Sequence, residues 1–315
     1  MGSGDTVLPS PEKVVDNPKV WTTLITNTDY LSGLFTLDFS LKKHKSNYPL
    51  VALYTDSFPP EGHRALEARG IPRQHVAYLL PPVHKDFSND PRFYDCWSKL
   101  TPYSLVQYER VVQLDSDMVL QQNMDELMDL ELDDRSLEGK GDRVFAASHA
   151  CLCNPLQKPH YPKDWIPANC AFTSQHSNPA LAQTQGAPPT AGLGICNGGL
   201  QVVNPSVAIY QQILEHLNDP EHVANFDFAD QSLLSDLFRG RWVGLPYIYN
   251  GLKPMHWVHK EIWRDESVKN VHFIWSPKPW DEAADERTME TEKWFLPVND
   301  ERLAREKDLG IADQF

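Results

Sequence analysis

Apolar and polar positions along the first 120 residues follow two alternating rhythms. The β-branched run "VWTTLIT" at 20–26 reads as a strand. In "DYLSGLFTLDFSLKKH" the apolar residues Leu31, Leu34, Phe35, Leu37 and Leu41 recur at helical spacing. "YPLVALYTD" predicts a second strand, "PEGHRALEARG" a short helix with Gly70 just past its end, and "HVAYLL" a third strand. A helix over 97–108 then leads into a strand over 110–114. Strands that alternate with helices predict an α/β fold, a Rossmann-like and mostly parallel sheet with helices on both faces. Ligands of such sheets bind beyond the carboxyl ends of the strands. Thr26, Asn27 and Asp115 all fall at such ends.

From residue 131 to 189 the pattern turns irregular, and from Cys151 onward it is rich in Pro, Asn and Cys. Regularity returns with "GICNGGLQVVNPS", a strand with a glycine turn, and with "PSVAIYQQILEHLN", a helix with Pro205 in its first turn. "FADQSLLSDLF" predicts another helix, and "WVGLPYIYNG" and "VKNVHFIWSPKPW" two further strands. We read residues 1–19 as a disordered tail, 20–283 as one domain and 284–315 as an acidic helical tail packed on it or extending from it. Internal repeats are absent.

Composition narrows the function classes. A chain of 315 residues with 41% hydrophobic and 23% charged residues has the balance of a globular protein with a sizeable core. Its net charge of −14 argues against a general affinity for nucleic acid or for an anionic membrane. No apolar run approaches the ~20 residues of a membrane span. The first residues lack the charged start and apolar middle of a secretory signal. They fit the loose myristoylation pattern at Gly2 and Thr6, but no polybasic patch or neighbouring cysteine adds a second anchor. The five cysteines are odd in number. "CLC" lacks the usual C-x-x-C spacing of a zinc site and no paired spacing completes it, so reduced cysteines in a cytoplasmic protein are expected. G-x-G-x-x-G after the first strand and G-x-x-x-x-G-K-[ST] are both missing, which removes most support for dinucleotide and P-loop readings.

The candidate chemistry lies in short clusters. "RVVQLDSD" sets Asp115 and Asp117 at the exit of a buried strand, two hard oxygen ligands that suit Mg²⁺ or Mn²⁺ shared with phosphate. The plain alternative is a turn cap beside a solvated acid. His272 in "NVHFIWSPKPW" is a candidate third ligand, and Lys278 suits a phosphate as a point charge. His256 and His259 have no acidic partner at metal spacing and read as structural. "CNGG" places Asn197 beside glycines that permit close approach to the backbone. "FDFADQSLL" sets Asp227, Asp230 and Gln231 at a helix start, where capping and dipole effects account for one of the three. Trp257, in "KPMHWVHKEIW" with His256, His259 and Trp263, offers an aromatic face for an acceptor ring, with core or rim packing as the alternative.

These motifs, taken in order over 21–280, resemble glycosyltransferase family eight, the retaining enzymes that include glycogenin and galactinol synthase. The resemblance implies a type A glycosyltransferase fold and a manganese-bound UDP-sugar, with Mg²⁺ as the alternative ion. Residue by residue it implies that Leu24, Thr26, Asn27 and Tyr30 hold uridine, with Ser116 beside the ribose. Lys99 would meet the donor, with Arg92 nearby. Asp115, Asp117 and His272 would be metal ligands, Lys278 the diphosphate lysine, and Asn197, Gly198, Asp227, Asp230 and Gln231 the sugar pocket. Asp230 and Gln231 are then the candidates for catalysis at the anomeric carbon. Two departures stand out. Trp275 occupies a position, three residues after the histidine, that is often glycine in the family. The segment after "LPYIYN" also has no tyrosine to stand in for the self-glucosylated residue of glycogenin.

Local likenesses such as "CWSKL", "HACLCNP" and "KWFLPVNDERL" bring galactinol synthase closer. They imply a cytoplasmic enzyme that moves glucose or galactose from UDP to a small polyol or sugar; a homodimer is left open. Two other readings stand beside this one: a self- or protein-glucosylating primer, and a non-catalytic nucleotide-sugar-binding protein.

Overall fold

The computed structural model describes residues 12–88 and 90–315; of the tail expected at 1–19, residues 1–11 with Gly2 lie outside them, and Lys19 opens the first strand. The elements along the chain are β1 (Lys19–Ile25), α1 (Leu31–Lys43), β2 (Leu50–Tyr54), α2 (Pro60–Ala68), β3 (Arg73–His75), α3 (Arg92–Cys96), β4 (Arg110–Leu114), β5 (Met118–Leu120) and β6 (Phe145–Ala147). They continue with α4 (Ala171–Ser174), β7 (Leu200–Val203), α5 (Val207–Leu217), α6 (Pro220–Val223), α7 (Ala229–Leu237), β8 (Val243–Gly244), β9 (Gly251–Leu252), α8 (Met255–Val258), β10 (Asn270–His272) and α9 (Leu296–Asp308).

A seven-stranded sheet runs in the order β3-β2-β1-β4-β7-β6-β8, and a smaller sheet in the order β5-β10-β9. β1, β2, β3 and β4 pair in parallel, as their alternation with helices predicts. β7 is antiparallel to both β4 and β6. The central strands are buried on both faces, as Val20, Val51, Val111, Val112 and Val202 illustrate, which is why they read as unbroken apolar runs.

Several elements are shorter than their patterns predict. "HVAYLL" supplies only the end of β3, after which the chain leaves the sheet. The segment expected as a helix over 97–108 is a 3₁₀ turn at Trp97–Ser104, tightened around Pro102, which cannot donate to an α-helical ladder. "WVGLPYIYNG" breaks into β8, a 3₁₀ turn at Tyr247–Tyr249 and β9. Proline again explains the break, because Pro246 cannot continue a strand ladder.

The chain first passes from the large sheet to the small one between the end of β4 and the start of β5, where Asp115, Ser116 and Asp117 lie. The C-terminal α9 closes the structure beside α1 and α2. Thr36 Oγ1 donates to Asn299 Oδ1 at 2.9 Å, and the Arg69 guanidinium meets both Glu306 and Asp313 at 2.7 Å.

Arg69→Ala should therefore leave two partly buried carboxylates short of a cation, at a cost of about 2–3 kcal/mol. A Tm lowered by several degrees, with little change in ligand affinity, is the expected result. An unchanged Tm in thermal unfolding would show that α9 contributes little through this contact.

Candidate active site

Two backbone hydrogen bonds bring three distant segments together at the sheet crossing. Asp115 N donates to Gly199 O at 2.8 Å, and Phe273 N donates to Asp117 O at 2.9 Å. The first ties the aspartates to the "NGG" turn before β7, the second to the end of β10. In β10, His272 pairs with Met118 across the small sheet. As a result Asp115, Asp117 and His272 each place one ligand-type atom within 4.8 Å of the other two.

The electrostatics of this trio define what it can hold. His272 Nε2 lies 3.2 Å from Asp117 Oδ1 and 3.7 Å from Asp115 Oδ2. Its Nδ1 lies 2.9 Å from Asn250 Oδ1. Asn250 Nδ2 in turn donates to Asn197 Oδ1 at 2.8 Å, so the amide is oriented with its oxygen toward the histidine. Nδ1 therefore donates to Asn250, and Nε2 is left facing the two carboxylates. Two carboxylates and one imidazole are a donor set suited to Mn²⁺ or Mg²⁺, so these residues fit a hard divalent ion.

Two lysines flank the trio. Lys99 Nζ lies 3.2 Å from both oxygens of Asp115 and 3.8 Å from Asp230. Burial alone would depress this lysine, but the Asp115 and Asp230 carboxylates outweigh it and lift its pKa well above the usual value. Lys278 Nζ donates to Asp117 Oδ2 and, at 2.8 Å, to Phe273 O. Burial pushes Asp117 up, but the Lys278 ammonium and His272 more than offset it and hold the carboxyl well below the ordinary range.

On the other side of the crossing, the start of α7 packs against the glycine turn. Gln231 Oε1 accepts from Gly198 N and from Asn197 Nδ2, each at 3.3 Å. An amide chain thus runs Gln231–Asn197–Asn250–His272. Asp230 is only 2% exposed, with Gln201 Nε2 at 3.3 Å from its Oδ2. Burial, opposed by Lys99 and aided by the charge of Asp115, pushes its pKa up to about 6. Both glycines are needed for this closeness. A Cβ on Gly198 would stand 2.2 Å from Asp230 Oδ2, and one on Gly199 2.4 Å from His272 Cε1.

These groups open into a cavity of about 230 Å³. All the donor-side residues expected from sequence line it except Asp227. Asp227 turns away into a half-exposed ion pair with Lys85 at 2.6 Å. Trp257 also lies off the cavity: it is 41% exposed on α8. The acceptor face expected around it is likewise absent from the cavity, since His259 and Trp263 are buried and His256 packs against Trp263 and Trp294. Where Thr26 and Tyr30 enter the cavity, Thr26 Oγ1 donates to Asp95 at 2.7 Å and Arg92 donates to Tyr30 OH at 2.9 Å.

The wall that sequence reasoning missed comes from the irregular segment 131–189. Tyr161 and Trp165 line the cavity together with Phe228, and the Trp165 and Phe228 rings stack at 4.4 Å. "HYPKDW" held the signal, two aromatic residues inside a proline-rich stretch, but no periodicity indicates which way a loop side chain points. Trp275 joins this wall. Its Nε1 donates to Tyr161 OH at 3.0 Å, and its backbone adopts φ +72°, the left-handed region that favours glycine. The departure from glycine noted in the sequence therefore falls at a strained position.

Two aspartates and a histidine at the crossing of two sheets, with lysines and an amide chain around them, sit in a type A glycosyltransferase fold and mark the protein as a glycosyltransferase. The chain belongs to glycosyl transferase family 8, whose model matches residues 22–284. Galactinol synthase 1 of Ajuga reptans is 28% identical over 93% of this chain and 84% of its own length. Galactinol synthase 1 of Arabidopsis thaliana is 27% identical over 97% of this chain and 86% of its own. Among solved structures, the galactosyltransferase LgtC in complex with donor and acceptor sugar analogs superposes with a TM-score of 0.58 at 14% identity, covering 90% of this chain and 96% of that one.

Gly198→Ala tests the close approach. The added methyl must displace the Asp230 carboxyl, so the variant should lose at least tenfold in transferase turnover while staying folded by circular dichroism. Near-normal turnover would show that the fit around Asp230 is looser than the distances imply.

Proposed function

We propose that the chain is a divalent-metal-dependent, retaining hexosyltransferase that moves galactose or glucose from UDP to a small polyol or sugar, in a galactinol synthase-like reaction. The observation that carries this reading is the convergence of His272 Nε2, Asp115 and Asp117 on one point, with Lys278 on the far side of Asp117. Asp115, Asp117 and His272 would hold Mn²⁺, or Mg²⁺ in its place. When bound, the ion supplies Lewis-acid stabilisation to the departing diphosphate. The names of the curated relatives, whose lengths this chain nearly spans, support the small acceptor. Five unpaired cysteines suit a reducing compartment, and on that ground we place the enzyme in the cytoplasm.

The remaining residues then have distinct tasks. Leu24, Thr26, Asn27 and Tyr30, at and just past the end of β1, form the uridine side, with Ser116 beside the ribose and Arg92 braced on Tyr30. Lys278 shares the charge that develops on the leaving diphosphate. Lys99 holds Asp115 in place and keeps a positive charge beside Asp230. Asn197, Gly198, Asp230 and Gln231 surround the sugar. Retention requires either a covalent intermediate or attack from the leaving-group face. The Asp230 carboxyl is already engaged by Gln201 and Lys99, and an amide oxygen is a poor nucleophile. These constraints favour attack from the leaving-group face, with Gln231 Oε1 and the Asp230 charge stabilising the oxocarbenium-like state. The stacked Trp165 and Phe228, with Tyr161, provide the apolar face against which an acceptor ring rests, in place of Trp257.

The direct test incubates the full chain with UDP-galactose or UDP-glucose, Mn²⁺ and a panel of polyols and small sugars. Transfer with retained anomeric configuration, read by NMR, and no added hexose on the protein, read by intact mass spectrometry, are expected. Stepwise hexose increments on the chain would restore the primer reading. Donor binding with no transfer or hydrolysis would make the protein a non-catalytic binder.

Asn250 tests the ion site separately. It touches neither UDP nor acceptor in this scheme and acts through the His272 tautomer. Asn250→Ala should weaken Mn²⁺ binding about 10–100-fold, measured by paramagnetic titration of the free ion. Unchanged Mn²⁺ affinity in a folded variant would remove the orienting role.

A further inference from the structure

A second set of ligand-type side chains lies apart from the catalytic trio and takes no part in it. Cys151, Cys153 and Cys170 come from the irregular segment, and His259 directly follows α8. The three sulfurs approach one atom, His259 Nε2, at 3.3, 3.4 and 3.6 Å. All four ligand atoms lie within 4.8 Å of one another, and none of the cysteines is in a disulfide. Cys153, Cys170 and His259 are buried, and Cys151 is half-buried.

Hydrogen bonding does not account for this convergence. Nε2 of an imidazole offers one N–H or one lone pair, so it satisfies one thiol well and not three. A tetrahedral ion at the centre does account for it. With Zn–S about 2.3 Å and Zn–N about 2.0 Å, tetrahedral angles place each sulfur about 3.5 Å from the nitrogen. The three distances fall on that value. His259 is also oriented as a metal histidine is: its Nδ1 lies 2.9 Å from His176 Nε2, which leaves Nε2 to face the sulfurs.

We propose that Cys151, Cys153, Cys170 and His259 form a structural Zn²⁺ site, independent of the ion at Asp115, Asp117 and His272. Three thiolates and an imidazole are soft to borderline donors and select zinc, whereas the carboxylate-rich site selects a hard ion. Four protein ligands leave no open position, so this zinc does no chemistry on substrate. It staples the loop that carries Tyr161 and Trp165 onto the segment after β9, and so fixes one wall of the cavity. The sequence reading set a zinc site aside because "CLC" has the wrong spacing and no local pair completes it. Spacing rules assume ligands close in sequence, but here the fourth ligand lies 89 residues beyond Cys170. Leu152, buried between the two cysteines of "CLC", points its side chain into the core while both thiols meet the histidine.

The full chain, expressed in zinc-supplemented medium and stripped of loosely held ions with EDTA, should retain about one zinc per chain by mass spectrometry of the metal. Asp117→Asn should keep that zinc, while Cys153→Ser and His259→Ala should lose it. Replacement by Co²⁺ should give the intense thiolate-to-cobalt absorption of a tetrahedral sulfur-rich site, a result that needs no variant. Denatured, unreduced protein should titrate five thiols. Zinc-free wild-type protein that also fails to show the cobalt band under reducing conditions would overturn the proposal. So would three titratable thiols in place of five, or equal zinc content in wild type and Cys153→Ser.

Discussion

The two backbone hydrogen bonds at the sheet crossing are the constraint on which the site depends. Asp115 N to Gly199 O and Phe273 N to Asp117 O fix the aspartates between a glycine turn and the last residues of a short strand. Neither bond involves a side chain, so the geometry survives whatever charge state the carboxylates adopt. Everything polar then follows from the closeness they impose. Gly198 and Gly199 must lack a Cβ, because Asp230 and His272 occupy that space. The strand that would otherwise run on from β4 is instead cut after Leu114, which is why the main sheet hands the chain to a second, three-stranded sheet at this point.

Such closeness carries an electrostatic cost that the flanking groups offset. Asp115, Asp117 and Asp230 bring three carboxyls into a largely water-excluded space, where unpaired charges cost several kcal/mol each. Lys99 serves Asp115 and Asp230, Lys278 serves Asp117, and His272 borders both aspartates of the crossing. Burial nonetheless keeps the Asp230 carboxyl raised, at about 6. Three carboxyls against two lysines leave the cluster with an excess of acidic groups, which fits the hard divalent ion proposed for it.

Much of this was legible in sequence, for identifiable reasons. The apolar run "VVQL" ahead of two aspartates reads as a buried strand ending in charge, and Asp115 and Asp117 do follow directly on β4. "CNGG" and "FADQ" were legible because small residues beside amides and acids make poor packing but good contacts. What escaped were contacts between segments distant in sequence. Asn250, which orients His272, sits at the end of a 3₁₀ turn and looks like any loop asparagine. Trp257 looked like a ring-binding aromatic, yet α8 presents it outward while its neighbours His259 and Trp263 are buried. Periodicity over a single turn of helix is too short to distinguish those directions. Asp227 lies one residue before Phe228, and the backbone turns sharply at Ala229, φ +33°, so the two acids of "DFAD" face different surroundings.

The strain at Trp275 shows how the loop wall and the ion site are tied into one unit. A non-glycine residue in the left-handed region costs about 1–2 kcal/mol, and glycine would avoid it. An indole is retained there nonetheless, and it makes contacts that glycine cannot. It donates to Tyr161 and has the Lys158 ammonium 5.6 Å from its ring centre. Both partners belong to the loop that carries the three clustered cysteines. Trp275 also stands three residues beyond His272 and three before Lys278, so any movement of the loop is felt at the strand that bears the histidine. The loop is thereby anchored twice, at its base by the sulfur–imidazole cluster that gathers Cys151, Cys153 and Cys170, and midway between them by an indole held at the cost of backbone strain. A wall fixed at base and middle keeps its aromatic faces at a constant distance from the carboxylates. That is what a glycosyltransferase needs if it is to hold its acceptor still while water, smaller and far more abundant, is excluded.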